Sequence, residues 1–318
     1  KKNITIYLLL ALACLGLQSC LFQEENYFDD SSANRATADV NRCGELLKAA
    51  PNGWVMEYYV GKDYSLGGIT LLCRFDGQRV TMASQMSEAD ETVSSLYSVK
   101  SEQATMLSFD TYNYLVHYFG QPQGSMSDDP NGTLGGDYEF IISSASAERI
   151  ELKGKKYGNR IVMKALSEDQ TWKQYLTKIK KVEDDAFFYE YDLLMDGLYT
   201  GQMLRSNYTF IVTYYDEIGK VHQKTVPFMF TADGMRFHEP VTIDGQTMQN
   251  FVWKNELISF VCTDEGATGI KLAGVYTAGY QSYDYYPGTY QMDFYRLNDE
   301  TQQLEVASQE VRLLKNED

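Results

Sequence analysis

The chain has 318 residues, with 44 acidic against 28 basic side chains and a formal charge of −16. So acidic a chain argues against nucleic acid or an anionic membrane face as a general partner. The length is sufficient for about two domains, each able to bury its own core.

The first residues carry the most specific pattern. Lys1 and Lys2 precede an apolar run over 4–17 that is too short to span a bilayer comfortably, which is typical of a secretory signal over residues 1–19. The tetrapeptide Leu17-Gln18-Ser19-Cys20 then resembles the lipobox of bacterial lipoproteins. The resemblance implies cleavage before Cys20, several acyl chains on that cysteine and stable membrane anchoring through them. The alternative is an ordinary secretory signal that ends in cysteine.

An acidic segment follows this cysteine. Gln23, Glu24 and Glu25 resemble the export signal that sends lipoproteins of Bacteroidota-type bacteria to the outer face of the outer membrane. We therefore expect a lipid-anchored protein of the outer membrane that faces the cell exterior. The competing interpretation is a solvated acidic tether over residues 20–33.

Two segments have apolar residues at helical spacing. The first covers 34–50 and ends at Pro51-Asn52-Gly53. In the second, residues 167–170 form a capping box ahead of an amphipathic stripe. The residues of that stripe are Trp172, Tyr175, Leu176 and Ile179. Each helix has one apolar face, so we expect each to pack on a sheet.

Most of the remaining chain consists of short runs of β-branched and aromatic residues between turn residues, which is typical of strands. In the first half the predicted strands are 54–60, 69–75, 80–86, 93–99, 138–143, 150–153 and 161–165. In the second half the pattern resumes at Tyr199, and the predicted strands are 208–215, 221–230, 251–253, 258–261 and 290–297. The spacing indicates a mainly β protein of two antiparallel modules, each a sandwich or a lipocalin-like barrel, with an N-terminal helix and a mid-chain helix.

The two helices also divide the chain. We expect a signal peptide at 1–19, a tether at 20–33, the N-terminal helix with the first β module at 34–166, a connecting helix at 167–192 and the second β module at 193–318. A faint internal echo relates Asp76-Gly77 to Asp233-Gly234, each directly after a strand. A strand before Asp-Gly is common in hairpins, so this echo leaves duplication of the β module open.

Five short motifs together resemble one family of uncharacterised lipoproteins, the domain of unknown function 4302. They are Ala50-Pro51-Asn52-Gly53-Trp54, Gly67-Gly68-Ile69-Thr70, Ser108-Phe109-Asp110-Thr111-Tyr112-Asn113, Gly135-Gly136-Asp137-Tyr138-Glu139-Phe140 and Leu152-Lys153-Gly154-Lys155-Lys156-Tyr157-Gly158-Asn159. The resemblance implies partners of the starch-utilisation type, an outer-membrane transporter with its surface binding lipoprotein, sometimes beside a zinc peptidase. It carries over no catalytic residues.

No pattern predicts a catalytic, metal or cofactor site. The sequence has 3 histidines, and the absence of ligand spacing between them argues against zinc sites and Ser-His or Cys-His pairs. We expect His117 to be a hydrogen-bonded histidine in a strand. The segment 128–133 lacks the alternation and closing glutamate of an EF-hand, so a solvated turn is expected rather than a calcium site. A glycosidase-type carboxylate pair stays open, but the sequence nominates none.

The cysteines indicate no covalent framework. Cys14 lies in the signal and Cys20 at the predicted anchor, which leaves Cys43, Cys73 and Cys262. An odd number at wide spacing fits neither a disulfide scaffold nor a zinc motif. We expect these three to be buried small hydrophobic residues.

The tyrosines suggest a ligand-binding surface. Several of the 25 tyrosines gather in one glycine-containing stretch: Tyr276, Tyr280, Tyr283, Tyr285, Tyr286 and Tyr290. A tyrosine offers a flat face and a hydroxyl to a sugar or peptide at low entropic cost. The alternative is a hairpin with these tyrosines half-buried in cross-strand pairs. A second aromatic cluster, 187–191, is expected to pack the mid-chain helix onto its sheet.

One segment is basic within the acidic chain. Residues 153–181 contain nine Lys or Arg and two acids. These cations could meet lipopolysaccharide phosphates, an anionic ligand or an acidic partner. The default interpretation is a set of solvent-facing charges with weak ion pairs.

The sequence therefore predicts a non-catalytic surface lipoprotein that binds a glycan or peptide as an accessory to nutrient uptake, without a cofactor. Two alternatives stay open: a hydrolase with an unidentified carboxylate site, and an adhesin or scaffold that contacts another surface protein. A concave site with convergent carboxylates would favour the hydrolase, and a sizeable exposed apolar patch would favour the adhesin.

Overall fold

Two closed antiparallel barrels of eight strands each form the body of the protein. The computed structural model describes residues 31–122, 132–216, 218–275, 288–297 and 304–313, the last two ranges as backbone. The first barrel consists of β1 (Trp54–Val60), β2 (Gly67–Phe75), β3 (Arg79–Ser84), β4 (Val93–Ser101), β5 (Thr105–Phe109), β6 (Glu139–Ala145), β7 (Arg149–Gly154) and β8 (Arg160–Ala165). Each strand pairs with the next, and β8 closes the barrel onto β1 with Ala165 opposite Trp54.

The second barrel repeats this meander. It consists of β9 (Glu190–Met195), β10 (Leu198–Ser206), β11 (Thr209–Tyr215), β12 (Val221–Phe230), β13 (Gly234–Ile243), β14 (Gln246–Lys254), β15 (Ser259–Cys262) and β16 (Ile270–Val275). It closes between β16 and β9, where Ile270 lies opposite Met195. A separate hairpin follows, made of β17 (Gly288–Leu297) and β18 (Leu304–Leu313).

A long helix precedes each barrel. These are α1 (Ser32–Ala49) and α3 (Trp172–Asp185), and a short helix α2 (Tyr114–His117) lies between β5 and β6. The predicted fold class is thus confirmed, with barrels as the module type. The Asp-Gly echo does not mark equivalent positions, because Asp76 lies between the second and third strands of its barrel and Asp233 between the fourth and fifth. Among the described residues, no helix is long and apolar enough to cross a membrane.

The start of α3 differs from the predicted one. Thr171 is the N-cap and forms a reciprocal capping box with Gln174. The capping box predicted at 167–170 is wrong, because this segment is held to the first barrel instead. The Asn52 side-chain amide donates to the carbonyls of Ser167 and Gln170.

His117 lies in α2, so its prediction as a strand residue is also wrong. Asn113 caps this helix by accepting a hydrogen bond from the Leu115 amide at 3.1 Å. The fully buried Asn113 side chain donates in turn to Ser95 of β4. A capping side chain anchored in the barrel therefore decides the local structure over the β-prone residues around it.

Residues that alternate along β1 contribute to two different apolar clusters. Trp54 and Tyr58 belong to the apolar cluster that fills the first barrel, whereas Val55 packs with α3 and the second barrel's core. All seven residues of β1 are buried, because one face of the strand lines the first barrel and the other face packs against α3 and the second barrel. Eight strands give a lumen that side chains can fill.

The two barrels approach closely at β2. Gly67 has φ +70°, and a Cβ added there would lie 2.1 Å from the carbonyl oxygen of Tyr208 in the second barrel. At Gly68 an added Cβ would lie 2.9 Å from the Met229 Cβ. The paired glycines therefore allow backbone of the second barrel to pack directly on the first.

The three cysteines of the described barrels and helix are buried and free, which confirms their prediction as small hydrophobic residues. Burial raises the pKa of the Cys73 thiol and raises the pKa of Cys262 to about 11. Both thiols therefore stay protonated and unreactive at neutral pH.

Candidate functional site

The residues proposed from sequence as a site lie mostly outside the described residues. This applies to Cys20, Gln23, Glu24 and Glu25, and to Tyr276, Tyr280, Tyr283, Tyr285 and Tyr286. Tyr290 lies in β17, where the backbone alone is described. The described part of the chain contains a different candidate, in which the basic segment takes part.

A cleft runs between the barrels as two adjoining cavities that share Glu57 and Arg236 in their walls. The first, here called the proximal cavity, measures about 420 Å³ and lies between β1, the end of β8, Tyr175 of α3 and the turn before β13. The second, here called the arginine cavity, measures about 430 Å³ and lies between β1, β7, β8 and β13. Both volumes fall in the range of small-molecule sites.

Glu57 is the charged residue at the centre of the cleft. It is 7% exposed, on the face of β1 that turns towards the second barrel. One carboxylate oxygen accepts from Lys164 Nζ at 2.7 Å, and the other pairs with Arg236 Nη2 of β13. Burial lowers the pKa of Arg236, but the Glu57 carboxylate outweighs burial and the net pKa is raised. The result is a buried ion pair that joins the two barrels.

A bulge in β13 directs residues into the cleft. Pairing of β13 with β14 shifts register between Arg236 and Val241, so three extra residues of β13 are accommodated there. Pro240 has no amide hydrogen to donate to a ladder, which favours a bulge at this position. The Gln249 side-chain amide donates to the carbonyls of Phe237 and His238 and holds the bulge in shape.

His238, carried by this bulge, inserts between two tyrosines of the first barrel. Its ring centroid lies 4.3 Å from that of Tyr59 and 4.0 Å from that of Tyr64. Tyr64 has φ +58°, a conformation that is costly for a residue with a large side chain. Burial lowers the pKa of His238, so the imidazole is neutral at neutral pH.

Unpaired polar atoms converge on this cleft. Over the residues that the structure describes, three buried side-chain atoms have no hydrogen-bond partner: Gln170 Oε1, Arg236 Nε and His238 Nδ1. Gln170 lines the proximal cavity, His238 lines the arginine cavity and Arg236 lines both. Buried polar atoms in native proteins nearly always have a partner, so such a concentration marks a place where a ligand or ordered water supplies it.

The proximal cavity also presents fixed polar groups. Burial, followed by the charges of Glu57 and Asp233, raises the pKa of Tyr175 to about 12, which keeps its hydroxyl protonated. Asn250 is held by Asp264, whose carboxylate accepts from both its side chain and its amide. Such pre-positioned groups are typical of a recognition site.

The two carboxylates that line the proximal cavity are already engaged. Both oxygens of Glu57 are engaged with cations, which leaves this carboxylate poorly placed to act as base or nucleophile. The other carboxylate in the proximal cavity, Asp233, accepts from the Thr231 hydroxyl at 2.8 Å. In the part of the chain that is described, no three His, Cys, Asp or Glu residues form a group that could hold a metal ion.

The basic segment divides into two kinds of residue. Lys155, Lys173 and Lys181 form exposed ion pairs with neighbouring acids, in line with the default interpretation. Arg160 and Lys164 instead line the cleft. The aromatic cluster 187–191 is also divided: Phe188 and Tyr191 are buried, and the Tyr191 hydroxyl donates to the Ala186 carbonyl at the end of α3.

Sequence reasoning missed the cleft residues, although one signal was present. Glu57 is the sole charge in the otherwise apolar segment of β1. A charge at a strand position that is buried on both faces requires a partner, and this could have marked it. Nothing in the sequence indicates that the partner is Arg236.

The second barrel also exposes apolar side chains. These are Leu198, Tyr199, Tyr215, Ile218 and Val221, and Tyr215 lies opposite Val221 in the β11–β12 pair. An adhesin would use such a surface. That hypothesis stays a prediction.

Comparison with known proteins identifies a matching family but assigns no activity. A family model described as "Domain of unknown function (DUF4302)" matches residues 24–255. No curated protein matches the chain. Among solved structures, a DNA polymerase III subunit beta DnaN sliding clamp from Bartonella birtlesii LL-WM9 aligns at 8% identity over 75% of this chain and 66% of that chain, just under two thirds of it, with a TM-score of 0.11. A TM-score this low indicates no common fold, so the alignment carries no argument.

Proposed function

The chain belongs to the family described as Domain of unknown function (DUF4302), and we propose that it is a non-catalytic binding protein whose ligand occupies the cleft between its barrels. The ligand is a glycan or peptide fragment small enough for cavities of about 420 and 430 Å³. Binding, rather than turnover, accounts for a site that is rich in fixed hydrogen-bonding groups and whose central carboxylate is already paired.

One observation carries this proposal. The three residues that bear buried unpaired atoms, Gln170, Arg236 and His238, all line the same cleft. Leaving a buried donor or acceptor unpaired costs about 1–3 kcal/mol per group. A ligand that supplies the missing partners recovers this free energy on binding, which gives the cleft a specific affinity for polar molecules.

The location and partners are a further part of the proposal and rest on the sequence. A lipid anchor at Cys20 would hold the protein in the outer membrane, facing outwards, beside a transporter and surface binding lipoprotein of the starch-utilisation type. Metabolic labelling with a fatty acid tests the anchor: the wild-type protein should incorporate label and a Cys20→Ala variant should not. Protease added to intact cells should remove the wild-type protein if it faces outwards, and full protection would contradict that orientation.

The binding function is tested by filling the cleft. Ser167 is exposed and lines the proximal cavity, so Ser167→Trp places an indole in its opening, whereas Ser167→Ala leaves the opening unchanged. Calorimetric titration of the purified protein with neutral and acidic oligosaccharides and short peptides should give at least one saturable ligand. The Trp variant should lose that ligand and the Ala variant should keep it. Silence across the panel, or equal binding by both variants, would refute the proposal.

A further inference from the structure

The outer face of β7 and β8 concentrates positive charge beside the cleft. In the β7–β8 register Arg149 lies opposite Lys164, and Lys153 lies opposite Arg160. Like charges placed directly opposite each other destabilise a strand pair. Two such pairs on neighbouring strands of a chain with a formal charge of −16 require a compensating reason.

The nearby carboxylates do not provide an acceptor for every hydrogen-bond donor of these cations. A single oxygen of Glu151 accepts from both Arg149 and Arg160, at 3.0 and 3.2 Å. Glu57 also serves two cations, one through each carboxylate oxygen, and Arg236 Nε remains without a partner. Because each guanidinium has five N–H donors, the arginine cavity contains more donors than the local carboxylates can accept.

The type of hydrogen-bond donor that is in excess indicates the chemistry of the ligand. Arg149, Arg160 and Arg236 all line the arginine cavity, together with the rim carboxylate of Glu239. Guanidinium groups bind planar or tetrahedral oxyanions through two parallel hydrogen bonds. Among the residues that line the arginine cavity, three arginines stand against the two carboxylates of Glu57 and Glu239, an excess of one positive charge.

We propose that the arginine cavity binds the oxyanion of an acidic ligand, a carboxylate, sulfate or phosphate group, through Arg149, Arg160 and Arg236. This inference rests on the proposed binding function and narrows its ligand class. The anion relieves the repulsion between the opposed cations and gives Arg236 Nε an acceptor. The sugar or peptide body that carries the anion extends past Glu57 into the proximal cavity.

The experiment compares matched probes on the purified protein. Trigalacturonate and its fully methyl-esterified form have the same sugar body and differ only in charge, and inorganic sulfate and phosphate report the other oxyanions. Arg149→Gln/Arg160→Gln removes two cations whose side chains are 42% and 62% exposed, so the fold should tolerate it. Lys178→Gln makes a charge change at an exposed position of α3 that lines neither cavity, and it serves as the control.

We expect at least one anionic probe to bind, with an affinity that falls as the salt concentration rises. If trigalacturonate binds, it should bind at least tenfold more tightly than its neutral methyl ester. The double arginine variant should weaken this binding at least tenfold, which corresponds to about 1.4 kcal/mol, and Lys178→Gln should not. Equal binding of acid and ester would overturn the oxyanion inference and leave the binding function intact. An unaffected double arginine variant would also overturn it. Silence of the acidic probes together with the whole neutral panel would overturn both.

Discussion

Replacing Glu57 by Gln removes the charge that joins the barrels and leaves Arg236 without its partner in a largely buried position. The side chains of Glu57 and Arg236 are 10% and 20% exposed, whereas Lys164 is 40% exposed and can turn to water. Breaking a buried pair by removing one partner costs about 3–5 kcal/mol. Because only one of the two cations is stranded, we expect Glu57→Gln to lower the free energy of unfolding by about 3 kcal/mol, the lower end of that range.

A double-mutant cycle isolates the pair itself. Arg236→Gln should cost less than Glu57→Gln, because Glu57 keeps Lys164 as a partner. The double variant places two neutral amides face to face, so it should be more stable than the sum of the single losses predicts, with a coupling energy of about 2 kcal/mol. Urea denaturation at neutral pH measures all four proteins.

The control is an ion pair of similar length on the surface. Lys48 and Glu45 lie 2.7 Å apart on α1, with side chains 35% and 77% exposed, so Glu45→Gln should leave the free energy of unfolding nearly unchanged. If the losses of Glu57→Gln and Arg236→Gln add to within about 0.5 kcal/mol, the ion pair does not couple the two barrels.

Three further predictions concern a contact, an unpaired atom and a titrating group. Gly67→Ala should lower the free energy of unfolding by more than the roughly 1–2 kcal/mol that a positive φ costs a residue with a Cβ, because the new Cβ also meets the Tyr208 carbonyl. Gly219→Ala, at φ +77° with open space around it, is the control in thermal unfolding, and equal losses in the two variants would exclude the clash. Gln170→Met should raise the free energy of unfolding by about 1 kcal/mol and weaken ligand binding, because it removes a buried unpaired acceptor; a loss of stability in urea would argue that this acceptor is satisfied. Burial lowers the pKa of His238, so the unfolded state binds more protons and the free energy of unfolding should fall as the pH drops below about 6.5. His238→Gln should flatten this pH profile of stability between pH 7 and 5.5, and a profile identical to that of the wild type would contradict the role of His238.

The strands that could be predicted are those whose local pattern agrees with their surroundings. Trp54–Val60 and Val221–Phe230 have the predicted bounds, because turn residues lie on both sides of each strand. Val221–Phe230 contains Pro227, but Gly219 before it and Asp233-Gly234 after it mark its ends. Glu190–Met195 was missed since it follows α3 closely and reads as its continuation. Gly234–Ile243 was missed because Pro240 and the bulge interrupt its alternation, and Ile270–Val275 because small residues dilute it.

Two more strands, Thr105–Phe109 and Leu304–Leu313, were also absent from the predicted set. The first has five residues, all buried, and a run this short has no usable period. Closure of each barrel depends on pairing between its first and last strands, and nothing in a single sequence encodes that pairing locally.

The cleft was beyond sequence reasoning for a related reason. Glu57 and Arg236 are 179 residues apart, and they meet because the second barrel packs on β1 and β2 of the first. The basic segment predicted an anionic partner as one option, but only the β7–β8 register shows which cations lie together. The tyrosines of 276–290 stay a predicted surface of their own.

The most direct test of a ligand site between the barrels is hydrogen exchange measured with and without a saturating concentration of the tightest ligand found by calorimetry, since it reports where that ligand protects the backbone. The binding cleft predicts slower exchange in β1, in residues 160–167 and in the bulge of β13, and no such change in the Ser167→Trp variant. Protection confined to residues 276–290, or no protection anywhere, would contradict a ligand site between the barrels.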